Sequence, residues 1–227
     1  MDLDFLEQEQ HWLAKKIHIP KKQEAFSSSD VVFGIDVQYD NEDAYVAITA
    51  FDMTGRYLHS YVHKSIAGMK YKPGFFCFRE GPPVLRSIRK VLSRFNIIPQ
   101  AILIDGHGLA HPRQFGIACF VGLHTNIPTV GVAKQALMES YEEVKPNKGA
   151  IGTCIINKKV VGVALRTQKN THPIYVSPGY KISLDQSVEI VKNFCQKNRL
   201  PEPINRADRL ARAFAKGKFL KDIHIIR

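Results

Sequence analysis

Three consecutive β-rich runs joined by short polar turns dominate the first third of the chain and restrict its folds more than any other feature. They occupy residues 31–37, 44–51 and about 57–66, with Asn41, Glu42 and Asp43 turning the first pair. Runs this close together pair as an antiparallel meander. From residue 84 onward the pattern changes to alternating helix and strand. Val84, Leu85, Ile88, Val91, Leu92 and Phe95 share one helical face, and Pro82 and Pro83 fit that helix's first turn. A short apolar strand, 101–104, stops at Asp105, and a helix is expected over 115–123. The strand 129–133 stops at Lys134, and further strands are expected near 150–156, 160–166 and 173–177. Ser183 and Gln186 have capping-box spacing ahead of a helix carrying Val188, Val191 and Phe194. A last helix is read from about Ala207, and an N-terminal helix over 1–22 that Pro20 ends.

A meander followed by alternating helices and strands is a mixed α/β sheet flanked by helices. The order of three antiparallel strands and then parallel strands is that of ribonuclease-H-like folds. The 227 residues are read as a single domain, 1–227, without repeats or low-complexity segments. With 44% apolar and 23% charged residues the chain can fill a core. Disordered, collagen-like and disulfide-miniprotein classes are excluded. No apolar run approaches the roughly 20 residues that span a bilayer, and the acidic N-terminus lacks the apolar stretch of a secretory signal. Cys77, Cys119, Cys154 and Cys195 form no metal-like cluster, so reduced thiols in a cytoplasmic protein are expected.

Thirty-two Lys and Arg against 21 Asp and Glu give a net charge of +11, which favours a polyanionic partner such as nucleic acid. Against that background two acids stand out. Asp36 interrupts an apolar strand between Ile35 and Val37, where a carboxylate is costly unless it is paired or binds a cation. Asp105 ends a strand, where α/β folds place ligand groups. Two such acids on adjacent strands could share a divalent ion, and oxygen-only ligands favour Mg²⁺ or Mn²⁺ over zinc. Each Asp could instead cap a turn or pair with a nearby cation. Lys134, at a strand end, suits a scissile phosphate, although most lysines are simply solvated.

Three segments add detail. Residues 71–83 mix glycines, prolines and aromatics around the pair Arg79 and Glu80; residues 105–113 form a Gly/His loop directly after a strand; residues 129–134 place Lys134. With Gly34-Ile35-Asp36-Val37 and Ala207-Asp208, these segments are similar, in order and spacing, to the endonuclease V family, nucleases acting on nucleic acid that contains deaminated adenine. The resemblance extends over nearly the whole chain. It implies a ribonuclease-H-like fold and Mg²⁺-dependent hydrolysis (Mn²⁺ as substitute) of the second phosphodiester bond 3′ to deoxyinosine. It also implies a DNA-repair role, with an inosine-specific ribonuclease acting on single-stranded RNA as the alternative. A monomer without membrane attachment is expected.

The same resemblance implies roles residue by residue. Asp36, Glu80 and Asp105 match catalytic metal-binding acids, and Asp208 matches a fourth acid near the metals, although it is also spaced i to i+4 from Arg212. Lys134 matches the lysine beside the scissile phosphate. Tyr71, with Pro73, matches the wedge that fills the gap left by a displaced base. Gly74, Gly106, Gly108 and Leu137 match the base pocket, and His111 a loop histidine near it. Two departures stand out: the wedge reads Lys70-Tyr71-Lys72-Pro73 rather than Pro-Tyr-Ile-Pro, and a family Ser-x-Gly-His segment reads Ser177-Pro178-Gly179-Tyr180.

Overall fold

The computed structural model describes residues 2–21, 24–137, 142–218 and 223–226. The meander forms as read: β1 (Val31–Asp40), β2 (Asp43–Asp52) and β3 (Tyr57–Ile66) pair antiparallel in sequence order. β4 (Ala101–Asp105) runs parallel to β1, and β5 (Thr129–Ala133) parallel to β4. β6 (Ile151–Ile156), β7 (Lys159–Leu165) and β8 (Ile174–Tyr180) return antiparallel, β8 lying beside β5. A short β9 (Ile223–Ile226), not foreseen from the sequence, pairs with β3 and completes a nine-stranded sheet ordered β6-β7-β8-β5-β4-β1-β2-β3-β9. This is the mixed sheet expected.

Helices cover both faces. On one side α1 (Leu3–Ala14), α2 (Phe76–Phe95) and α3 (Ile117–Thr125) pack on Phe33, Ile35, Ile102 and Ile104. On the other, α4 (Leu184–Phe194) packs on Val32, Leu103 and Val130, and α5 (Glu202–Ala215) lies across β1 and β2. Because side chains alternate along a strand, Val32, Gly34 and Asp36 face α5 while Phe33, Ile35 and Val37 face α2. Gly34 permits that approach. A Cβ there would lie 2.3 Å from the carbonyl carbon of Pro203, and Thr49 on the paired strand donates to the Pro203 carbonyl at 2.8 Å. The first turn of α5 is thereby pressed onto the sheet beside the carboxylate of Asp36.

Several boundaries differ from the sequence reading. α1 stops at Ala14, well before Pro20, and residues 1 and 22 of the expected 1–22 helix lie outside the described residues. α2 starts at Phe76, so Pro82 and Pro83 lie in its body rather than its first turn. The Arg79 carbonyl that Pro83 cannot bond accepts from the Gly68 N–H at 2.7 Å, so a neighbouring loop supplies the missing donor. α5 starts at Glu202, five residues before Ala207, because Pro203 fits a first turn. α3 runs two residues later at each end than expected, and β8 continues to Tyr180. At α4 Ser183 caps as expected, its Oγ accepting from the Gln186 N–H at 3.2 Å, but the Gln186 amide donates to the Glu24 carbonyl instead of closing the box. No helix among the described residues is long and apolar enough to cross a membrane.

Candidate active site

The register of β1 and β4 pairs Ile35 with Ile104, so Asp36 and Asp105 emerge level at the same sheet edge. Both face α5, which contributes Asp208 from its second turn. One carboxylate oxygen from each of the three lies within 4.8 Å of the others. Lys134 follows β5 and completes the group: its Nζ is 2.5 Å from Asp105 Oδ2 and 3.7 Å from Asp208 Oδ1. Arg212 grips Asp208 through two hydrogen bonds of 2.8 and 3.0 Å, so the i to i+4 pairing is also realised.

Glu80 stands apart. It reaches the acids from α2, on the opposite face of the sheet, and is not part of the cluster that Asp36, Asp105 and Asp208 form. It is buried, with the Tyr39 hydroxyl 3.5 Å from Oε2.

Electrostatics set the acids apart from one another. Burial, followed by the charge of Asp105, pushes Asp36 up to about 7. Burial, then Asp36 and Asp105, raises Glu80 well above the usual carboxylate range. Burial opposes ionisation of Asp208 too, but the Arg212 bonds and Lys134 outweigh it and hold its pKa low. Burial likewise disfavours the Lys134 ammonium, yet Asp105, Asp36 and Asp208 together raise its pKa. Three convergent carboxylates with all-oxygen donors suit a hard divalent cation, which would relieve this crowding.

A sign follows for stability. The folded pKa of Asp36 exceeds its ordinary value of 3.8, so its contribution favours folding at low pH and is lost as pH rises through about 7. Without divalent cations, the melting temperature should therefore fall between about pH 4 and 7 more in the native chain than in Asp36→Asn. Added Mg²⁺ should raise it more at about pH 8 than at about pH 6, because protons compete for the ligands. An equal rise at both, followed by thermal melting, would contradict the cluster's role.

Beside the acids lies a cavity of about 220 Å³. Tyr71, Gly74, Gly106, His111 and Leu137 line it, together with Phe76, His107 and Ile117. Tyr71 and Leu137 are 61% and 51% exposed, at its rim. The N–H of Phe75 bonds to the Lys72 carbonyl across a tight turn with Pro73 and Gly74 at its centre, and Gly74 has φ +79°. Pro73 is exposed in this turn and does not line the cavity. Gly108 does not line the cavity either. Its N–H is bonded to Ser177 Oγ at 2.9 Å, and a Cβ there would lie 2.3 Å from the Pro178 carbonyl oxygen. That close approach to β8 leaves no room for a side chain at this position. Gly106 lines the cavity, but its N–H is bonded to Val132.

The two loop histidines are buried, and burial pushes both down to about 4. His111 accepts from the Arg113 N–H at 3.2 Å and bonds the Gly74 backbone, so it braces the cavity rim. His107 Nε2 lies 3.1 Å from the Gln135 carbonyl, and its Nδ1 has no partner among the described residues. Arg113 was not singled out from the sequence. Its Nη2 donates to the Gly74 carbonyl at 2.7 Å and its Nε to Gln10 at 2.6 Å, tying the rim to α1. The only sequence signal was its place in the 105–113 loop. Tyr180 points away from the acids, its hydroxyl 3.4 Å from Asn126 Oδ1.

A mixed sheet of this topology with an acidic cluster on adjacent strands defines a ribonuclease-H-like nuclease. The endonuclease V family model matches residues 11–209. Endonuclease V from Rippkaea orientalis is 39% identical over 88% of this chain and 85% of its own. The crystal structure of endonuclease V from Streptomyces avermitilis superposes with a TM-score of 0.84 at 30% identity, covering 95% of this chain and 93% of the other. That of Ciona intestinalis endonuclease V, bound to a DNA 24-mer with an inosine followed by a ribo-adenosine, gives 0.82 at 26% identity, covering 96% and 99%. The chain belongs to the endonuclease V family.

Proposed function

We propose that the chain is a Mg²⁺-dependent DNA repair endonuclease that recognises deaminated bases, chiefly deoxyinosine. In this reading it hydrolyses the second phosphodiester bond 3′ to the lesion and leaves 3′-hydroxyl and 5′-phosphate ends. One observation carries the reading. Asp105 belongs to the acidic cluster, and the next two residues, Gly106 and His107, line the base-sized cavity. Recognition and hydrolysis would therefore share one strand-end loop. The Ciona relative's inosine-containing DNA supports the same choice of substrate.

Asp36, Asp105 and Asp208 would hold the cation as ionised carboxylates, with Glu80 behind them. When bound, Mg²⁺ (or Mn²⁺) polarises the phosphate and lowers the pKa of an attacking water. Lys134 would leave Asp105 for the scissile phosphate and offset the charge that builds there. The displaced base would enter the cavity while Tyr71 fills the gap it leaves. Extrusion costs a few kcal/mol, less for a poorly paired base, and hypoxanthine pairs less well than adenine opposite thymine. Lys70 and Lys72 beside the wedge add attraction to phosphates. The four cysteines are buried and unpaired, in keeping with a reduced cytoplasmic compartment, and we read the enzyme as a monomer.

The test is Tyr71→Ala. Because Tyr71 is exposed at the rim and outside the acidic cluster, its loss should leave metal affinity unchanged. Stacking is worth about 1–3 kcal/mol per base, so lesion affinity should fall about 5- to 150-fold. Measured preference for inosine over adenine should fall with it; an unchanged preference would remove the wedge from the reading.

A further inference from the structure

A second cavity, of about 640 Å³, opens on the other side of Lys134. The segment 134–137 divides the two: Leu137 lines the base-sized cavity, whereas Lys134, Gln135 and Ala136 line this one. The Gln135 carbonyl, bonded to His107, ties the dividing segment to the first cavity's wall.

Arg199 forms part of the second cavity's wall. Its Nε donates to the His172 carbonyl at 2.8 Å, and its Nη2 to the carbonyls of Lys134 and Pro173, each at 2.8 Å. Three main-chain carbonyls thus fix the guanidinium plane. None carries a full charge, and among the described residues no carboxylate pairs with Arg199. Its Nη1 makes no hydrogen bond there either. Arg212, close to the acids, differs: it is paired with Asp208. A guanidinium that is oriented, uncompensated and retains free N–H donors suits a phosphate oxygen.

We propose that this cavity is a binding site for the nucleic-acid strand on the 3′ side of the cut, with Arg199 contacting a backbone phosphodiester there. The assignment rests on the reading above. With the deaminated base in the first cavity and the cut 3′ to it, a strand that crossed the acids and Lys134 would meet this cavity next. Arg199 also bonds the Lys134 carbonyl, so one side chain links the departing strand to the residue beside the scissile phosphate.

The experiment replaces single phosphates of an inosine-containing DNA strand with neutral methylphosphonates. Each of the first three linkages on either side of the cut is altered in turn. Single-turnover cleavage by the native enzyme and by Arg199→Met gives the half-saturating concentration and the maximal rate. One linkage on the 3′ side should raise the half-saturating concentration about tenfold for the native enzyme, the scale of a charge-assisted hydrogen bond. The same change should cost Arg199→Met less than about twofold, since the contact is already gone. Full additivity at every linkage, or coupling on the 5′ side, would overturn the proposal.

If Arg199→Met melts below the assay temperature, the native scan decides alone. A sensitive 3′ linkage supports the site, and uniform insensitivity there overturns it. Matched unmodified strands with inosine or adenine report separately on lesion recognition, so failure of that reading shows as equal cleavage of the two.

Discussion

Asp36→Asn is expected to lower cleavage of inosine-containing DNA by on the order of 10³-fold or more while leaving substrate affinity within a few-fold. The substitution keeps the shape of a side chain that is only 5% exposed and removes its charge. It leaves Asp105 and Asp208 as the only members of the three-acid cluster able to hold a cation. The change should not destabilise the metal-free chain. Asp36 is a crowded carboxylate whose pKa burial and Asp105 have driven up to about 7, so neutralising it relieves repulsion at higher pH. Single-turnover cleavage, filter binding and thermal melting together separate these effects. Full activity would remove Asp36 from the metal site, and loss of activity accompanied by unfolding would make its role structural.

Lys134→Ala should lower the maximal rate about 10²- to 10³-fold with little change in the half-saturating concentration, the pattern for a charge used mainly in the transition state. The geometry explains the split. Lys134 Nζ is held 2.5 Å from Asp105 rather than pointing freely into solvent, so it adds little to binding the strand in the ground state. It lies close enough to the acids to turn toward a phosphate placed there. Arg in its place should restore little, because a planar fork does not occupy the position of a compact ammonium. A change confined to the half-saturating concentration would instead make Lys134 a general phosphate contact.

Much of this site was legible because local pattern and position coincide. An acid inside an apolar strand and another at the end of the next parallel strand identify a sheet edge from the residue pattern alone. Asp36, Asp105 and Lys134 were found in this way, and the family resemblance added Asp208, Tyr71 and the cavity glycines. What escaped was long-range. The start of α2 was hidden because Pro82 and Pro83 read as a helix beginning, and nothing local shows that the Gly68 N–H bonds the carbonyl that Pro83 leaves free. The start of α5 was hidden for the opposite reason: the helix was read only from Ala207, past Pro201 and Pro203, which stand at its beginning. The packing of Gly108 against β8 was hidden because a glycine needed for packing looks, in sequence, like one needed by a ligand. Gln10 and Arg113 lie 103 positions apart, and Arg199 and Lys134 lie 65 apart, so neither pairing leaves a periodic trace.

The most direct measurement is cleavage of matched single strands in Mg²⁺, one DNA and one RNA, each with a single central inosine. Lesion-free copies and the Asp36→Asn protein serve as controls. The expected result is a Mg²⁺-dependent nick in the inosine-containing DNA, at the second phosphodiester bond 3′ to the lesion, absent from the adenine copy and from Asp36→Asn. A strong preference for the RNA would contradict the DNA-repair assignment and make the chain an inosine-directed ribonuclease. Tight binding to both strands without any cut would contradict catalysis itself.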